Sequence, residues 1–247
     1  VEGLIDSLKK SFNAYSKRPF LFVWGALLYI LMLITFILAA LGVFLGYFLF
    51  LSVFGQELSF EALSTLAVIG VIVLLFLFFL NGINASIAKA FRQGMTKKKM
   101  SLAQFYSYAV DQAPSMFIIM LVRDFIWLLL VGPALFLYVE FLEGYEYMDM
   151  LIGTYGFFMT FAIHMVFTPS FVITGAFGGD VFNSLKYGIQ LWREKHIFFI
   201  GLYIVFAFAW ILNFVPFLQI ASLFFLYPVV YAAMAVMIDT TIKMEGD

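Results

Sequence analysis

The sequence predicts an all-α polytopic membrane protein, with six transmembrane helices in three units of interfacial amphipathic helix plus helical hairpin. Three observations predict it. Of 247 residues, 64% are hydrophobic and only 12% are charged, whereas a soluble domain is about 25% charged. A domain of this size has too much surface to hide that excess from water. Several stretches long enough to cross a hydrocarbon core of about 30 Å carry no charge. Finally, the basic residues between those stretches fall on one side of them. These features exclude a soluble enzyme and a disordered chain. The net charge of −1 argues against nucleic acid as a partner. With no cysteine in the chain, disulfides, thiolate nucleophiles and cysteine-ligated metals are excluded.

The first uncharged stretch runs from Pro19 to Gly55. As a helix it would be about 55 Å long, too long for one upright crossing. It is read as a span over Phe20–Gly42 with an outer continuation to Phe54, because two crossings would need a hairpin with almost no loop. The apolar run far exceeds the 7–15 residues of a signal-peptide core, so it is expected to be retained. The second span is expected at Leu63–Ala88 and the third at Pro114–Tyr138, the latter interrupted by Arg123 and Asp124. The fourth is expected at Leu151–Ala176. The fifth and sixth, Ile197–Asn213 and Pro216–Ile238, form a tight hairpin broken at Asn213-Phe214-Val215-Pro216.

Charge predicts the orientation. Lys9, Lys10, Lys17 and Arg18 precede the first span, and Lys89, Arg92, Lys97, Lys98 and Lys99 follow the second. Lys186, Arg193 and Lys195 follow the fourth, and Lys243 follows the sixth. The opposite loops hold Glu57, Glu61, Glu140, Glu143, Glu146 and Asp149 and no basic residue. The basic side is the cytoplasmic one by the positive-inside rule. A cell-membrane protein with both termini cytoplasmic is expected.

Three cytoplasmic segments share an amphipathic pattern. Leu4, Ile5, Leu8, Phe12 and Tyr15 lie on one helical face, and Val181, Phe182, Leu185, Ile189 and Trp192 repeat the spacing. Ser7-Leu8-Lys9 recurs as Ser184-Leu185-Lys186, and a weaker copy starts at Ser101-Leu102. Interfacial helices are expected at Leu4–Ser16, Leu102–Gln112 and Val181–Arg193. The second helix of each unit carries a polar residue before a helix breaker, at Asn81-Gly82, Thr168-Pro169 and Tyr227-Pro228. Small residues follow each: Ala85 and Ser86, Gly175 and Ala176, Ala232 and Ala233. Small residues let membrane helices approach closely. The chain is therefore read as one membrane domain, 1–247, with pseudo-repeat units at about 1–95, 96–178 and 179–247.

The closing stretch Leu226-Tyr227-Pro228-Val229-Val230-Tyr231-Ala232-Ala233, followed by Asp239, resembles the end of poorly characterised prokaryotic six-helix integral membrane proteins. These are similar to the membrane domain attached to some glycerophosphodiester phosphodiesterases. The opening Ser7-Leu8-Lys9-Lys10 through Pro19 resembles theirs too. The resemblance implies an architecture and no activity, since the phosphodiesterase domain with its acidic metal ligands has no room here.

No Gly-rich phosphate loop, HExxH or GxSxG is present. The chain is expected not to be an enzyme, and no cofactor or metal is expected. Gly178-Gly179 reads as a turn before Asp180, an N-cap. The outer acids around Glu140 read as a solvated rim. Lys97-Lys98-Lys99 are candidate contacts to anionic lipid, each contributing on the order of 1 kcal/mol near such a leaflet. Arg123, Asp124 and His164 form the candidate intramembrane polar cluster. An ionised group at that depth costs about 2.5–3.5 kcal/mol or more and needs a partner. Adjacent helical residues point about 100° apart, so Asp124 is expected to pair with His164 on the next span rather than with Arg123. A lipid- or partner-binding membrane module is the expected function, the partner being another membrane subunit or a second copy. A transporter or channel built on the polar cluster is the alternative.

Overall fold

The computed structural model describes residues 2–54, 61–142, 145, 147–212, 218 and 222–245. Every element among them is helical: α1 (Glu2–Lys17), α2 (Pro19–Phe54), α3 (Glu61–Met95), α4 (Leu102–Leu137), α5 (Met148–Val172), α6 (Val181–Leu212) and α7 (Tyr227–Glu245). Wider π-type turns extend α4 over Tyr138–Leu142, extend α5 over Ile173–Phe177 and lead into α7 over Ser222–Leu226. Five helical stretches are long and apolar enough to cross a membrane: Pro19–Tyr47, Ile69–Met95, Leu102–Phe141, Met148–Phe177 and Phe224–Thr241. The backbone of such helices satisfies its own polar groups, as hydrocarbon requires. Leucines, phenylalanines and isoleucines such as Leu38, Leu45, Phe125, Leu128 and Phe157 stand exposed along them. An apolar surface of that extent faces lipid or a partner, not water.

The interior is made where α3, α5 and α7 meet. A Cβ on Gly175 would lie 3.1 Å from Ala85 Cα, so the end of α5 sits directly on α3. Ala85, Ser86, Ala232 and Ala233 are fully buried, and Ala176 nearly so. Ala232 belongs to the core shared with α2 and α3, and Ala233 to the core shared with α5 and α6. These three helices run in one direction: α4 is antiparallel to α3, with Ala109 at Gly82 and Phe117 at Phe78, and to α5, with Tyr108 at Gly175 and Trp127 at Thr160, while Tyr231 and then Asp239 of α7 meet Phe91 and Arg92 of α3. The other long helices run the opposite way and wedge between them: α4 between α3 and α5, and α6 between α5 and α7. In the same manner α2 wedges between α3 and the turns before α7. The amphipathic segments follow the same order. Helix α1 packs along α7, with Gly3 at Met237 and Phe12 against Phe225. The start of α4 packs on α3, with Ala109 at Gly82. The start of α6 packs on α5, with Gly188 at Ser170.

Some expectations hold and others need correction. The first amphipathic helix is separate, ending before Arg18. The second is not, because Leu102–Gln112 forms the first turns of the continuous helix α4, which runs through Pro114. Proline forfeits one intrahelical hydrogen bond, and in a packed bundle that loss bends a helix without ending it. The third amphipathic segment joins its span at a kink, with Lys195 at φ −123° and ψ 27°. Residues 19–54 form one unbroken helix, so no hairpin divides them. The expected fifth span is helical to Leu212, while the break at Asn213-Phe214-Val215-Pro216 lies outside the described residues, as do Glu57, Glu143 and Glu146. Of the outer acids, Asp149 accepts a hydrogen bond from the Tyr138 hydroxyl. Gly178 does take the left-handed turn conformation, φ 76°. Asp180 caps α6, its carboxylate accepting from the Asn183 N–H at 3.0 Å.

Candidate functional site

Between α3, α4, α5, α6 and α7 lies a cavity of about 190 Å³ lined by Asn81, Asn84, Ala88, Met116, Arg123, His164, Thr168, Phe171, Val172, Tyr203, Tyr231 and Met234. Its polar residues follow helical spacing. Asn81, Asn84 and Ala88 stand at i, i+3 and i+7 of α3, and His164 and Thr168 at i and i+4 of α5, so each set lies on one face. The lining thus brings together two of the three residues of the expected polar cluster, Arg123 and His164.

Asp124 is placed differently. Arg123 Nε–H donates to Asp124 Oδ1 at 2.7 Å, and Nη2 lies 2.6 Å from the same oxygen. No hydrogen bond joins Asp124 to His164 among the described residues, so the expected Asp124–His164 pair is corrected to an Arg123–Asp124 pair. The reason is reach. Cβ atoms of neighbours diverge by about 100°, but three methylenes let the guanidinium swing back across that angle. In a medium of low dielectric the nearest opposite charge dominates. The Arg123 side chain is 18% exposed and that of Asp124 is 48% exposed. Arginine thus faces the interior while its counter-ion stays at the rim. Its guanidinium also lies 5.5 Å from the centre of the Phe171 ring. A guanidinium has five donors, so the contacts to Asp124 leave donors for the cavity.

The remaining lining groups are held by local hydrogen bonds. The Asn81 amide donates to Leu77 O at 2.7 Å and to Met120 Sδ at 3.1 Å, which fixes its orientation on α3. The Thr168 hydroxyl donates to His164 O at 2.8 Å. Tyr203 packs edge-on against Phe161 at 4.8 Å between ring centres. Trp127 Nε1–H donates to Thr160 Oγ1 at 2.7 Å and sets α4 against α5 just beyond the cavity. The arrangement offers donors and acceptors with one partly neutralised cation, suited to holding a small polar group. No group of three His, Asp or Glu gathers for a metal among the described residues.

The three lysines of the second candidate set diverge. Lys97 occupies a left-handed turn, φ 64°. Lys98 lines a separate cavity of about 250 Å³ with Lys89, Arg92, Gln93, Thr96 and Ala176. Lys99 Nζ lies 4.2 Å over the Trp24 ring and 5.3 Å from that of Phe20. Asn84 and Tyr203 are lining residues that sequence reasoning misses, and it marks Asn81 and Thr168 only as neighbours of helix breakers. Their signal is the i, i+3, i+4 spacing of polar side chains within otherwise apolar spans.

No protein-family model matches this chain, and neither a curated protein nor a solved structure does.

Proposed function

We propose that the chain is a non-enzymatic module of the cell membrane that binds lipid or a partner membrane subunit. One observation carries it: the outer part of α2 presents a run of exposed apolar side chains. Ile34, Ile37, Leu38, Leu41, Val43 and Leu45 are all exposed. Helix α2 has 36 residues, or about 54 Å of helix, well over the thickness of a hydrocarbon core. Such a rod needs an apolar neighbour along its flank. Six spans, both termini cytoplasmic, and three repeated units complete the proposal. The repeat draws support from the contact order, in which each amphipathic segment lies on the second helix of the unit before it, and α1 lies on the last. The layout also agrees with the resemblance to six-helix prokaryotic membrane proteins, which is part of the proposal.

A second function has an observation of its own. The cavity holding Arg123, His164, Asn81 and Asn84 is what a transporter of a small polar solute would use, since intramembrane ionisable groups mark such pathways. Mass spectrometry of what co-purifies with the protein separates the two. Bound lipids or a stoichiometric subunit are expected for the module. A water-soluble solute that disappears in Arg123→Gln would overturn the module and establish the transporter.

A further inference from the structure

We propose that the basic end of α3 binds a phosphate-bearing anion, held by Lys89, Arg92 and Lys98 with Gln93 and Thr96. Lys89, Arg92 and Gln93 stand at i, i+3 and i+4 and share one face of α3, and Thr96 follows in the turn just past the end of the helix. With Lys98 and Ala176 they enclose the cavity of about 250 Å³. The fifth, Lys98, is brought over that face by the end of the helix. Its N–H donates to Gln93 O at 2.9 Å and the Lys97 N–H to Gly94 O at 3.4 Å, with Lys97 left-handed between them. This pair of bonds is a Schellman cap, which reverses the chain back onto the last turn.

Two of the cations are built in, not loose on the surface. Arg92 donates to Asp239 at 3.0 Å and to Ala176 O at 3.2 Å, and its guanidinium lies 3.7 Å over the Phe177 ring. Lys89 Nζ sits 3.5 Å over the Tyr108 ring, whose hydroxyl is fixed to Gly175 O at 2.9 Å. The acids nearby do not cancel this charge. Asp239 is paired with Arg92 and does not line the pocket. Asp111 belongs to a neighbouring cavity that Lys89 also lines. Three cations against two carboxylates, Asp239 paired with Arg92 and Asp111 on the far side of Lys89, leave net positive charge that a bound anion would neutralise. Two cations from one helix face and a third from the turn that caps it, with amide and hydroxyl donors between them, offer more donors than a two-oxygen carboxylate uses and suit a group with three or four oxygens. Arginine, lysine and neutral hydroxyl and amide donors together are the usual phosphate set.

The phosphate could belong to a lipid head group or be free in solution. For the lipid source the proposal rests on the membrane module described above, and for the soluble source it stands alone. The full chain is placed in phosphatidylcholine nanodiscs and probed two ways. Inorganic phosphate is titrated against chloride at constant ionic strength with the unfolding midpoint as readout. Phosphatidic acid is added to the discs, and its retention per protein is measured by native mass spectrometry. Lys98→Gln and Lys89→Gln are each expected to weaken the responding probe roughly tenfold, while Lys97→Gln, the same change of charge outside the pocket, stays within about twofold. Lys98 is exposed, so its variant tests the site even if Lys89→Gln folds poorly. A response to inorganic phosphate identifies a soluble ligand, and a response to phosphatidic acid alone identifies a head group. Equal losses in all three variants, or no loss in any, overturn the pocket while leaving general lipid binding standing. No response to either probe overturns the pocket for both sources, and if no lipid of any kind is retained the lipid-binding arm of the module falls with it.

Discussion

Lys97 holds a backbone conformation that lysine rarely adopts, φ 64° at the position where helices most often end in glycine. A side chain there costs on the order of 1 kcal/mol. Lys97→Gly should therefore stabilise the protein, raising its midpoint by about 2–4 °C, and should leave the pocket at Lys98 intact, since the cap is made by backbone bonds. Thermal unfolding in one detergent checks it, and a lowered midpoint would contradict it. Asp180 gives a pH prediction. The Asn183 N–H and side-chain amide hold its carboxyl below the usual carboxylate range. A depressed pKa contributes stability above the unfolded value and loses it as pH falls through the folded one. Hydrogen exchange in the first turn of α6 should therefore stay slow down to mildly acidic pH and accelerate only below the ordinary range for aspartate. Asp180→Asn keeps a capping side chain but removes the titration, so its exchange should lose that acid step. Some of this is legible in the residues: Gly178-Gly179-Asp180 announces a turn and a cap. The left-handed Lys97 is not, because nothing in three consecutive lysines singles out one of them. Nor is the Arg123–Asp124 pair, because a spacing rule counts where Cβ atoms point and ignores how far a guanidinium can reach.

At the scale of helices, glycines divide into contact points and bystanders. A Cβ on Gly82 would stand 2.1 Å from Ala109 O, and one on Gly188 2.7 Å from Ser170 N, both backbone atoms that cannot step aside. A Cβ on Gly70 meets nothing within 4 Å. Gly82→Ala and Gly188→Ala should each destabilise by about 1–3 kcal/mol, as overpacking does. Gly70→Ala should be neutral or should stabilise by up to about 1 kcal/mol through helix propensity. Denaturation of the three variants side by side checks it, and equal effects would show that the contacts do not limit packing. The small residues after each helix breaker, Ala85, Gly175 and Ala232 among them, are readable as approach points from the sequence alone. Which helix each approaches is not, since a small side chain permits contact without naming a partner. Helix ends are the least legible. Pro114 reads as a boundary, yet proline stops a helix only where no neighbouring packing compensates for the lost bond.

Across the whole molecule, apolar length identifies five crossing helices among the described residues, but the contacts argue for an even number. The start of α2 lies by the end of α3, where Arg18 Nη1 donates to Met95 O at 3.4 Å and Trp24 Nε1 to Met100 O at 2.8 Å. The end of α7 lies at the same level, through Arg92 and Asp239. Helix α1 runs along α7, with Gly3 near Met237. Both ends of the described chain therefore gather at one end of the bundle, and a chain that leaves and returns crosses an even number of times. On the six-span proposal α6 is the sixth crossing: it runs from Gly188 beside Ser170 to Tyr203 beside Phe161, antiparallel to α5. The native chain has no cysteine, so single cysteines can be labelled without background by an impermeant maleimide. With six spans and a cytoplasmic basic end, Tyr145→Cys should label in intact cells, whereas Asn13→Cys, Thr96→Cys and Thr241→Cys should label only after permeabilisation. Five crossings would place residues 13 and 241 on opposite sides, and only one of those two would then label from outside. Labelling of Thr96→Cys in intact cells would instead invert the whole molecule, setting its basic end against the positive-inside rule.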